Sequence, residues 1–374
     1  MKIFIVLHAR IPSDTAAALC AVQEAVSFGR YGKVRVVAPR RLDRARVTLK
    51  DFYGLDVDVP ITYVPTIDVY FIKPFHKLAF YLSYVCFSIS VFFYLLRTSD
   101  RTDIIITNES LPAFFLSFFR QVVIEIHDYP ESHKRLHKKL FDNAKLVIAT
   151  NSWKKNRLAE EFGITEHKLM VERNAVDLSI FTVKDKLECR KKLGLPANAK
   201  VVVYTGHLYG WKGAHVLVEA AKSLPETQVY LVGGRQNEVD EFKKKFQPGT
   251  NVTLIPQVPH SEIPYYQSAA DCLVLPNTSS EAIASYYTSP MKAFEYMASG
   301  RPIVASNLPS IHEILAGLAI LVTPDEPKSL AEGILIALND PKALGLAKNA
   351  IEAIQELTWE KRAARIMDKL MGQK

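Results

Sequence analysis

Short runs of β-branched and apolar residues alternate with longer helix-like segments along this chain, and this alternation limits the folds that it can adopt. In the first half, "KIFIVLHA" precedes the helix-like "SDTAAALCAVQEAVSFGRYG", and "KVRVVAP", "DIIITN", "QVVIEIHD" and "KLVIATN" follow. Short apolar strands separated by helices are typical of a parallel sheet that helices cover on both faces. The sequence therefore predicts an α/β fold.

A second series of strand-like runs begins with "KVVVYTGHL" and continues through "QVYLVGG", "NVTLIPQV" and "RPIVAS". A charged segment without strand-like runs, residues 182–199, separates the two series. The chain has 374 residues, which is enough for two domains of ordinary size. We therefore predict two Rossmann-like domains facing each other across a cleft, with residues 1–181 in the first domain and residues 182–357 in the second.

Charge and cysteine content narrow the range of partners and locations. The formal net charge of +8 suits a phosphorylated ligand, an anionic membrane surface or a nucleic acid. The sequence has no zinc-finger spacing, no RRM-type signature and no basic stripe interleaved with aromatic residues, which argues against nucleic acid. Four widely separated cysteines and the short apolar run "MKIFIVLHAR" are typical of a cytoplasmic protein with reduced thiols.

The segment "LAFYLSYVCFSISVFFYLL", residues 78–96, carries no charge and is long enough to cross a membrane. Strand-like runs of the same predicted sheet flank it on both sides, and a spanning helix would divide that sheet across a bilayer. Three alternatives remain open. The helix packs in or on the domain, it dips one face into the inner surface of the cell membrane as a peripheral contact, or it spans the membrane.

The stretch "SPMKAFEYMASGRPIVAS" predicts a helix that leads into a strand. Ser289 is suited to cap that helix, Pro290 to its first position, and Gly300 to its end. Lys292 and Glu295 lie among apolar residues of the helix. Single charges on helices usually face solvent, so these two residues alone do not identify a site.

The turn "YTGHLYGWKG" combines features of an anion site. Gly206 follows a predicted strand, so the backbone can come near a ligand, and Lys212 supplies a point charge suited to phosphate. His207 lies in the same loop. A separate predicted helix, in "TSPMKAFE", lies further along the chain. Its first backbone amides, beginning with that of Met291, can face the same anion.

The run "SPMKAFEYMASGRPIVASNLPSIHEIL" resembles the donor-site signature of glycosyltransferase family 4, whose members are retaining enzymes of the GT-B fold. "VYTGHLYGWKGAHVLVEAA" is similar to the diphosphate turn of that family, "VERNAVDLSIF" to its stretch before the interdomain link, and "LTWEKRAARI" to its last helix. The resemblance covers nearly the whole chain. It implies a GT-B fold in which the C-terminal helix, residues 358–374, crosses back onto the first domain.

The resemblance also implies a role for each matched position. Glu295 is expected to accept hydrogen bonds from the ribose hydroxyls of a nucleoside diphosphate sugar, and Lys212 to neutralise its diphosphate. His127, in "EIHDYPES", falls where the family often has a histidine near the transferred sugar and the acceptor. The implied catalytic residues are His127 and Lys212, and the implied donor-binding residues are Gly206, His207, Lys212, Val258, Ser289, Met291, Lys292 and Glu295.

Two positions depart from the family pattern. Tyr287 stands where the family often has a second glutamate, eight positions before Glu295, and His207 stands where an arginine is common. The first departure keeps open the alternative of a nucleotide-sugar-binding subunit without catalytic activity. A GT-B sugar-nucleotide epimerase is a further alternative.

The predicted function is retaining transfer of a sugar from a nucleoside diphosphate sugar to an acceptor hydroxyl on a glycolipid, a polysaccharide or a small molecule. No Asp-x-Asp motif matches this fold, so we expect no metal and no cofactor besides the nucleotide-sugar substrate. The sequence does not specify the sugar, the base or the acceptor.

Overall fold

The structure, a computed structural model, describes residues 1–13, 15–42, 48–68 and 76–372. Contacts divide the chain into two compact units. Unit 1 comprises Met1–Arg173 and Trp359–Lys374, and unit 2 comprises Asn174–Thr358. The described strands of each unit form one parallel sheet. The two predicted α/β domains are therefore confirmed as the architecture of the chain.

Unit 1 begins with alternating strands and helices. Its strands are β1 (Lys2–Val6), β2 (Lys33–Pro39), β3 (Ile61–Val64), β4 (Ile104–Thr107), β5 (Gln121–Ile126), β6 (Leu146–Ala149) and β7 (Leu169–Val171). Its first helices are α1 (Ala16–Phe28), α2 (Leu49–Tyr53), α3 (His76–Thr98), α4 (Ser110–Leu116), α5 (Lys134–Asn143) and α6 (Ser152–Phe162). The sheet order is β3-β2-β1-β4-β5-β6-β7, so the order reverses beside β1.

Unit 2 repeats this alternation. Its strands are β8 (Lys200–Thr205), β9 (Thr227–Val232), β10 (Val252–Ile255), β11 (Cys272–Leu275), β12 (Ile303–Ser306) and β13 (Ile320–Val322). Its helices are α7 (Lys186–Leu193), α8 (Ala214–Ala221), α9 (Gln236–Phe246), α10 (Ile263–Ala269), α11 (Met291–Ser299), α12 (Pro309–Leu315), α13 (Pro327–Asn339) and α14 (Lys342–Ile354). The sheet order is β10-β9-β8-β11-β12-β13.

The reversal of strand order in unit 2 lies between β8 and β11. In open α/β sheets, ligands bind beyond the carboxyl ends of the strands at such a switch point, because the loops there diverge to opposite faces of the sheet. Apolar side chains fill both faces of the sheet: Val203 and Leu273 belong to one core cluster, and Val202 and Val274 to the other. This burial fixes the strand ends that carry the loops of the switch point.

The last helix, α15 (Trp359–Met371), belongs to unit 1. It packs against α1, and Arg362, Ile366 and Met367 on its inner face are almost fully buried. The predicted return of the C-terminal helix to the first domain is therefore confirmed.

The boundary between the units differs from the one drawn at residue 181. Residues 174–181 belong to unit 2, because Val176 and Phe181 are buried in its core and Val176 pairs with Thr358 in an isolated parallel bridge. The charged segment that follows contains α7, and Arg190 of this helix is buried against Asp271 at 2.7 Å. The charged composition of residues 182–199 therefore reflects a helix of unit 2.

The apolar segment of residues 78–96 lies in α3, which packs on unit 1 beside β3 and α4. By length and composition, α3 is the one helix of the described chain that is long and apolar enough to cross a membrane. Its buried side chains include Ala79, Phe87, Val91 and Leu95. The structure therefore matches a helix with one face packed on the domain, which fits both the packed-helix alternative and the alternative of a peripheral membrane contact.

Candidate functional site

The loop after β8 carries three of the predicted donor-site residues. Gly206 directly follows the strand with a φ of 134°, and the chain then passes His207 to a 3₁₀ turn, Gly210–Lys212. Gly213 closes the turn with a φ of 73°. A Cβ atom on Gly213 would lie 1.7 Å from the carbonyl oxygen of Pro276, so only glycine allows this loop to pack against the end of β11.

Helix α11 presents its charged residues beside this loop. The Tyr296 hydroxyl accepts hydrogen bonds from the backbone N–H of Thr205 at 2.9 Å and from its side chain at 3.1 Å, which fixes the helix to the end of β8. Phe294 and Met297 fill the core. Gly300 ends the helix with a φ of 69°, as predicted.

Lys292 has a buried amino group without a hydrogen-bond partner among the described residues. Its side chain is 7% exposed. The Nζ lies 4.0 Å from the ring centroid of Tyr204 and would be 3.3 Å from a Cβ atom on Gly206. The pKa of Lys292 lies well below its ordinary value, mainly because the amine is buried and to a lesser extent because Lys212 repels a positive charge. An unpaired ammonium group in such a place costs free energy unless an anion binds to it.

Lys212 is close enough to Lys292 and Glu295 to interact with both electrostatically. Its Nζ lies 4.8 Å from the ring centroid of Trp211. Burial lowers the pKa of Lys212, and the carboxylate of Glu295 opposes that effect. Glu295 likewise opposes the lowering of the pKa of Lys292. Two cations and one carboxylate thus converge at the carboxyl edge of the sheet of unit 2.

The carboxylate of Glu295 is held on both sides. Gln267 Nε2 donates a hydrogen bond to Oε2 at 3.1 Å, and His260 Nε2 lies 3.7 Å from Oε1. Glu295 is 8% exposed, so its remaining lone pairs face a confined space. This arrangement orients a carboxylate that can accept hydrogen bonds from a polar ligand.

Buried polar atoms without partners are concentrated around these groups. Asn277, the second residue after β11, is fully buried and neither atom of its side-chain amide has a hydrogen-bond partner in the described part of the chain. Buried polar groups in native proteins almost always have partners, so these atoms are sites for a polar ligand or for ordered water. The side chains that carry such atoms here are His207, His260, Gln267, Asn277 and Lys292.

The other predicted donor-site residues occupy varied environments. The ring of His207 stacks on Tyr209 with centroids 4.9 Å apart, and burial, aided by Lys212, lowers its pKa. Val258 is half-buried against the core of unit 2. Met291 begins α11 and is half-buried.

Ser289 does not cap α11, contrary to the sequence-based prediction. Pro290 holds the cap position and Met291 is the first helical residue. The Ser289 hydroxyl instead accepts a hydrogen bond from the backbone N–H of Asn174 at 3.1 Å, and its carbonyl accepts one from the Asn174 side chain at 2.6 Å. Ser289 therefore attaches the start of unit 2 to the loop before α11.

His127, the predicted catalytic residue of the first domain, directly follows β5. Its Nε2 lies 3.3 Å from Oε2 of Glu125, and Oε1 of Glu125 accepts a hydrogen bond from Arg362 of α15 at 2.8 Å. Burial opposes ionisation of Glu125, but Arg362 and His127 outweigh that effect and lower the pKa of Glu125 to about 2. The imidazole is therefore oriented by an ionised carboxylate.

A second histidine, which the sequence analysis did not single out, lies at the same edge of the unit 1 sheet. The backbone N–H of His8, shortly after β1, donates to Oε1 of Glu109 at 2.7 Å. Burial, and then the charge of Arg41, lowers the pKa of His8 to about 4, so this imidazole is neutral near pH 7. A lone histidine after a strand is too common a feature for the sequence to have marked it.

No cluster of three or more histidine, cysteine, aspartate or glutamate side chains suited to a metal ion occurs among the residues that the structure describes. The positive charge near Glu295 comes from Lys212 and Lys292.

Comparison with known proteins finds a family model that matches within unit 2. The sequence model of the family described as "Glycosyl transferases group 1" matches residues 185–356. A D-inositol 3-phosphate glycosyltransferase from Corynebacterium urealyticum is 23% identical over 261 residues, covering 65% of this chain and 60% of the relative. D-inositol 3-phosphate glycosyltransferase 1 from Catenulispora acidiphila is 26% identical over 239 residues, covering 59% and 56%. The chain thus aligns with less than two thirds of the length of these relatives.

Solved structures match the whole chain. The Anabaena protein HepE in complex with UDP has a TM-score of 0.76 at 22% identity, with 100% of both chains covered. Sucrose-phosphate synthase from Thermosynechococcus elongatus has a TM-score of 0.78 at 21% identity, with 100% of this chain and 98% of the other covered. At these identities the likeness establishes the fold. The chain has the GT-B fold, and its residues 185–356 match the sequence model of the family described as "Glycosyl transferases group 1".

Proposed function

We propose that this protein transfers a sugar from a nucleoside diphosphate sugar to an acceptor hydroxyl on a glycolipid, a polysaccharide or a small molecule. The observation that carries the proposal is the buried, unpaired Lys292 beside Lys212 at the switch point of the unit 2 sheet. A diphosphate supplies the two negative charges that this pair of lysines lacks. The group 1 family match and the UDP bound by the structural neighbour HepE support this choice of anion.

The proposal gives the residues around the anion distinct roles. Lys212, Lys292 and the first amides of α11 bind the diphosphate. Glu295 accepts hydrogen bonds from the ribose hydroxyls, with Gln267 and His260 as positioning residues that hold the carboxylate. Backbone near Val258 contacts the base.

In the proposed reaction, the bond between the sugar C1 atom and the phosphate oxygen breaks, and a bond between C1 and the acceptor oxygen forms. Lys212 and Lys292 stabilise the negative charge that develops on the leaving phosphate oxygen. The acceptor proton passes to that oxygen on the same face of the sugar, so the anomeric configuration is retained. His127, oriented by Glu125, donates a hydrogen bond to the transferred sugar or the acceptor.

We also propose that the enzyme acts in the cytoplasm without a metal ion. The four cysteines are thiols, and Cys20, Cys189 and Cys272 are buried, which suits a reducing compartment. Lys212 and Lys292 supply the charge that a divalent cation supplies in other transferases, so activity should survive an excess of EDTA.

Release of nucleoside diphosphate tests the function directly. The purified protein is incubated with a panel of nucleoside diphosphate sugars, with and without candidate acceptors, and the released diphosphate and the sugar product are measured. We expect one donor to be consumed with formation of a glycoside of retained configuration. Lys212→Ala should lower this turnover, and the exposed-site variant Lys348→Met on α14 is the matched control.

Two outcomes would replace the proposal. Tight binding of a donor without turnover with any acceptor would favour the binding subunit. Conversion of the donor to an isomeric sugar, without a new glycosidic bond, would favour the epimerase.

A further inference from the structure

The helix α3 has two apolar faces, and the described residues of the chain cover only one of them. Side chains spaced four residues apart, Ala79, Ser83, Phe87, Val91 and Leu95, are at most 2% exposed. The opposite row consists of Leu78, Leu82, Val85, Ile89 and Phe93, which are 45% to 55% exposed. A surface helix of a water-soluble domain normally places polar residues on its outer face. The outer row of α3 therefore needs an apolar partner.

This exposed row continues onto the neighbouring helix α4 and the turn after it. Phe115, Phe118 and Phe119 are 45% to 52% exposed. The ring of Phe92 on α3 lies 6.2 Å from that of Phe115 and 5.9 Å from that of Phe119. We call the outer row of α3 together with these three phenylalanines the outer apolar surface. Contiguous exposed apolar surfaces of this kind mark interaction sites.

The geometry of α3 shows how such a surface can meet a partner. The buried row runs from Ala79 to Leu95, so about 24 Å of the helix lies lengthwise on unit 1. A helix held along this length presents one face outward and keeps the other on the protein. The outer row is therefore placed to enter an apolar phase sideways, as interfacial helices do.

Basic residues border the outer apolar surface. Helix α5 packs on α4, and its exposed side chains include Lys134, Arg135, Lys138 and Lys139. The Nζ of Lys139 lies 5.3 Å from the ring centroid of Phe118. Two of these lysines have acidic neighbours, since Lys138 pairs with Asp142 at 3.3 Å and Lys134 pairs with Glu161.

The ends of α3 add to this positive border. Lys77 and Arg97 are exposed near the first and last turns of the helix, and no aspartate or glutamate occurs between them. An apolar surface with cations at its edges matches a bilayer whose headgroups are anionic.

We propose that unit 1 docks onto an anionic lipid bilayer through the outer apolar surface. In this arrangement α3 lies in the membrane interface, its outer row enters the boundary of the acyl chains, and the basic residues of α5 contact the headgroups. The inference concerns lipid binding by unit 1 and does not depend on the proposed sugar transfer.

Flotation with vesicles, in the absence of any sugar donor, tests the proposal. The full chain should float with vesicles of phosphatidylcholine that contain phosphatidylglycerol, and less of it should float as salt rises, because salt screens the headgroup charge. Val85→Asp combined with Ile89→Asp should weaken the partition coefficient about tenfold or more, because two apolar side chains no longer enter the bilayer. Leu344→Asp, at an apolar position of unit 2 that is 65% exposed, is the matched control and should float like the wild type.

A second variant separates docking from misfolding. Phe118→Ala with Phe119→Ala leaves α3 unchanged and should also weaken flotation while the thermal unfolding midpoint stays near that of the wild type. Lys138→Gln with Lys139→Gln should weaken binding to the anionic vesicles more than binding to pure phosphatidylcholine.

Two results would overturn the proposal. The first is a wild-type chain that stays out of the vesicle fraction at low salt, or that floats equally well with and without the aspartates. The second is a dimer in sizing chromatography that the aspartates dissociate, together with no vesicle binding, which would assign the surface to contact between two copies of the chain.

Discussion

Two buried lysines of this chain differ in whether their amino groups have hydrogen-bond partners among the described residues. Lys154 is fully buried, and its Nζ donates to the carbonyl oxygens of Ile126 and His127 at 2.7 Å each and also to the Thr150 hydroxyl. Lys292 is nearly as buried but has no hydrogen-bond partner within the described ranges. The first lysine therefore has a structural role, and the second is available to a ligand.

This contrast predicts opposite effects of the same substitution. Without ligand, Lys292→Met should raise the free energy of unfolding by about 1–3 kcal/mol, because it removes an unpaired buried charge. Lys154→Met should lower it by about 3 kcal/mol or more, because it leaves buried acceptors without a donor. Chemical denaturation of the three proteins measures both changes. A loss of stability in both variants would mean that Lys292 is a structural residue.

Glu295 and Lys212 should be separable by kinetics. Glu295 is proposed to bind the ribose equally in the ground state and the transition state, so Glu295→Gln should mainly raise the donor KM, by about 1–3 kcal/mol of binding free energy. Lys212 faces charge that grows as the glycosidic bond breaks, so Lys212→Ala should also lower kcat, by about 100-fold. Steady-state rates at varied donor concentration measure both parameters.

Thermal unfolding of both variants is the control for these kinetic measurements. Both should unfold near the wild-type temperature, because neither substitution is expected to disrupt the fold. Unfolding of Glu295→Gln together with full turnover of Lys212→Ala would contradict the assigned roles.

The sequence predicted the charged centre of the site but not the groups that hold it. Lys212, Lys292 and Glu295 could be singled out because the runs that contain them resemble the diphosphate turn and the donor-site signature of glycosyltransferase family 4. Gln267 and His260 come from other elements, α10 and the loop before it, and meet Glu295 only because parallel strands place their carboxyl ends at one edge. Asn277 carries no motif at all, and its importance appears only from its burial. The cap assigned to Ser289 was wrong because Asn174 competes for its hydroxyl.

Among the contacts that attach α15 to unit 1 is a buried arginine. Arg362 donates to Glu24 of α1 at 2.7 Å and to Glu125 of β5 at 2.8 Å. Burial, reinforced by the negative charge of Glu125, raises the pKa of Glu24 to about 8 despite Arg362. One of the two carboxyl groups is therefore ionised at neutral pH and the other holds a proton.

This protonation predicts a pH dependence of stability. The pKa of Glu24 in the folded chain is about 8, above its ordinary value of 4.5. The proton on Glu24 therefore adds to the free energy of unfolding at low pH, and this stabilisation is lost as pH rises through about 8. Glu24→Gln cannot ionise and escapes that loss. The unfolding temperature of the variant minus that of the wild type should therefore rise by about 2 °C or more between about pH 6 and about pH 9.

Thermal unfolding of both proteins across this pH range is the measurement. A constant difference between them would mean that Glu24 is already ionised in the folded chain over the whole range.

Element types followed from the alternation of strand-like and helix-like runs, whereas the limits of the units did not. Composition marked residues 182–199 as a link, but Asp185 caps α7 and the helix buries Cys189 and Arg190 in unit 2. In sequence, a short helix with a charged exposed side has a composition similar to that of a linker. The ion pair between Arg190 and Asp271, which the sequence does not reveal, shows that this segment is a helix of unit 2.

At the scale of the whole molecule, the chain repeats one plan twice with different chemistry at the strand ends. Unit 1 places histidines after β1 and β5, which can donate and accept hydrogen bonds. Unit 2 places two lysines and a carboxylate at its switch point, which suits an anion joined to a ribose. The family match over residues 185–356 lies within unit 2, where this anion site is found.

The central claim is that unit 2 binds a nucleoside diphosphate through Lys292, and calorimetric titration tests it most directly. The ligand is the diphosphate that raises the unfolding temperature of the wild type most in a panel that includes UDP. Binding should take up a fraction of a proton in the pH range over which Lys292 titrates, seen as a dependence of the measured heat on the ionisation enthalpy of the buffer, because the bound anion raises the lowered pKa of Lys292. Lys292→Met should weaken binding about 30-fold or more and abolish the proton uptake, while Lys348→Met binds normally. Equal affinity and equal proton uptake in the wild type and Lys292→Met would contradict the account.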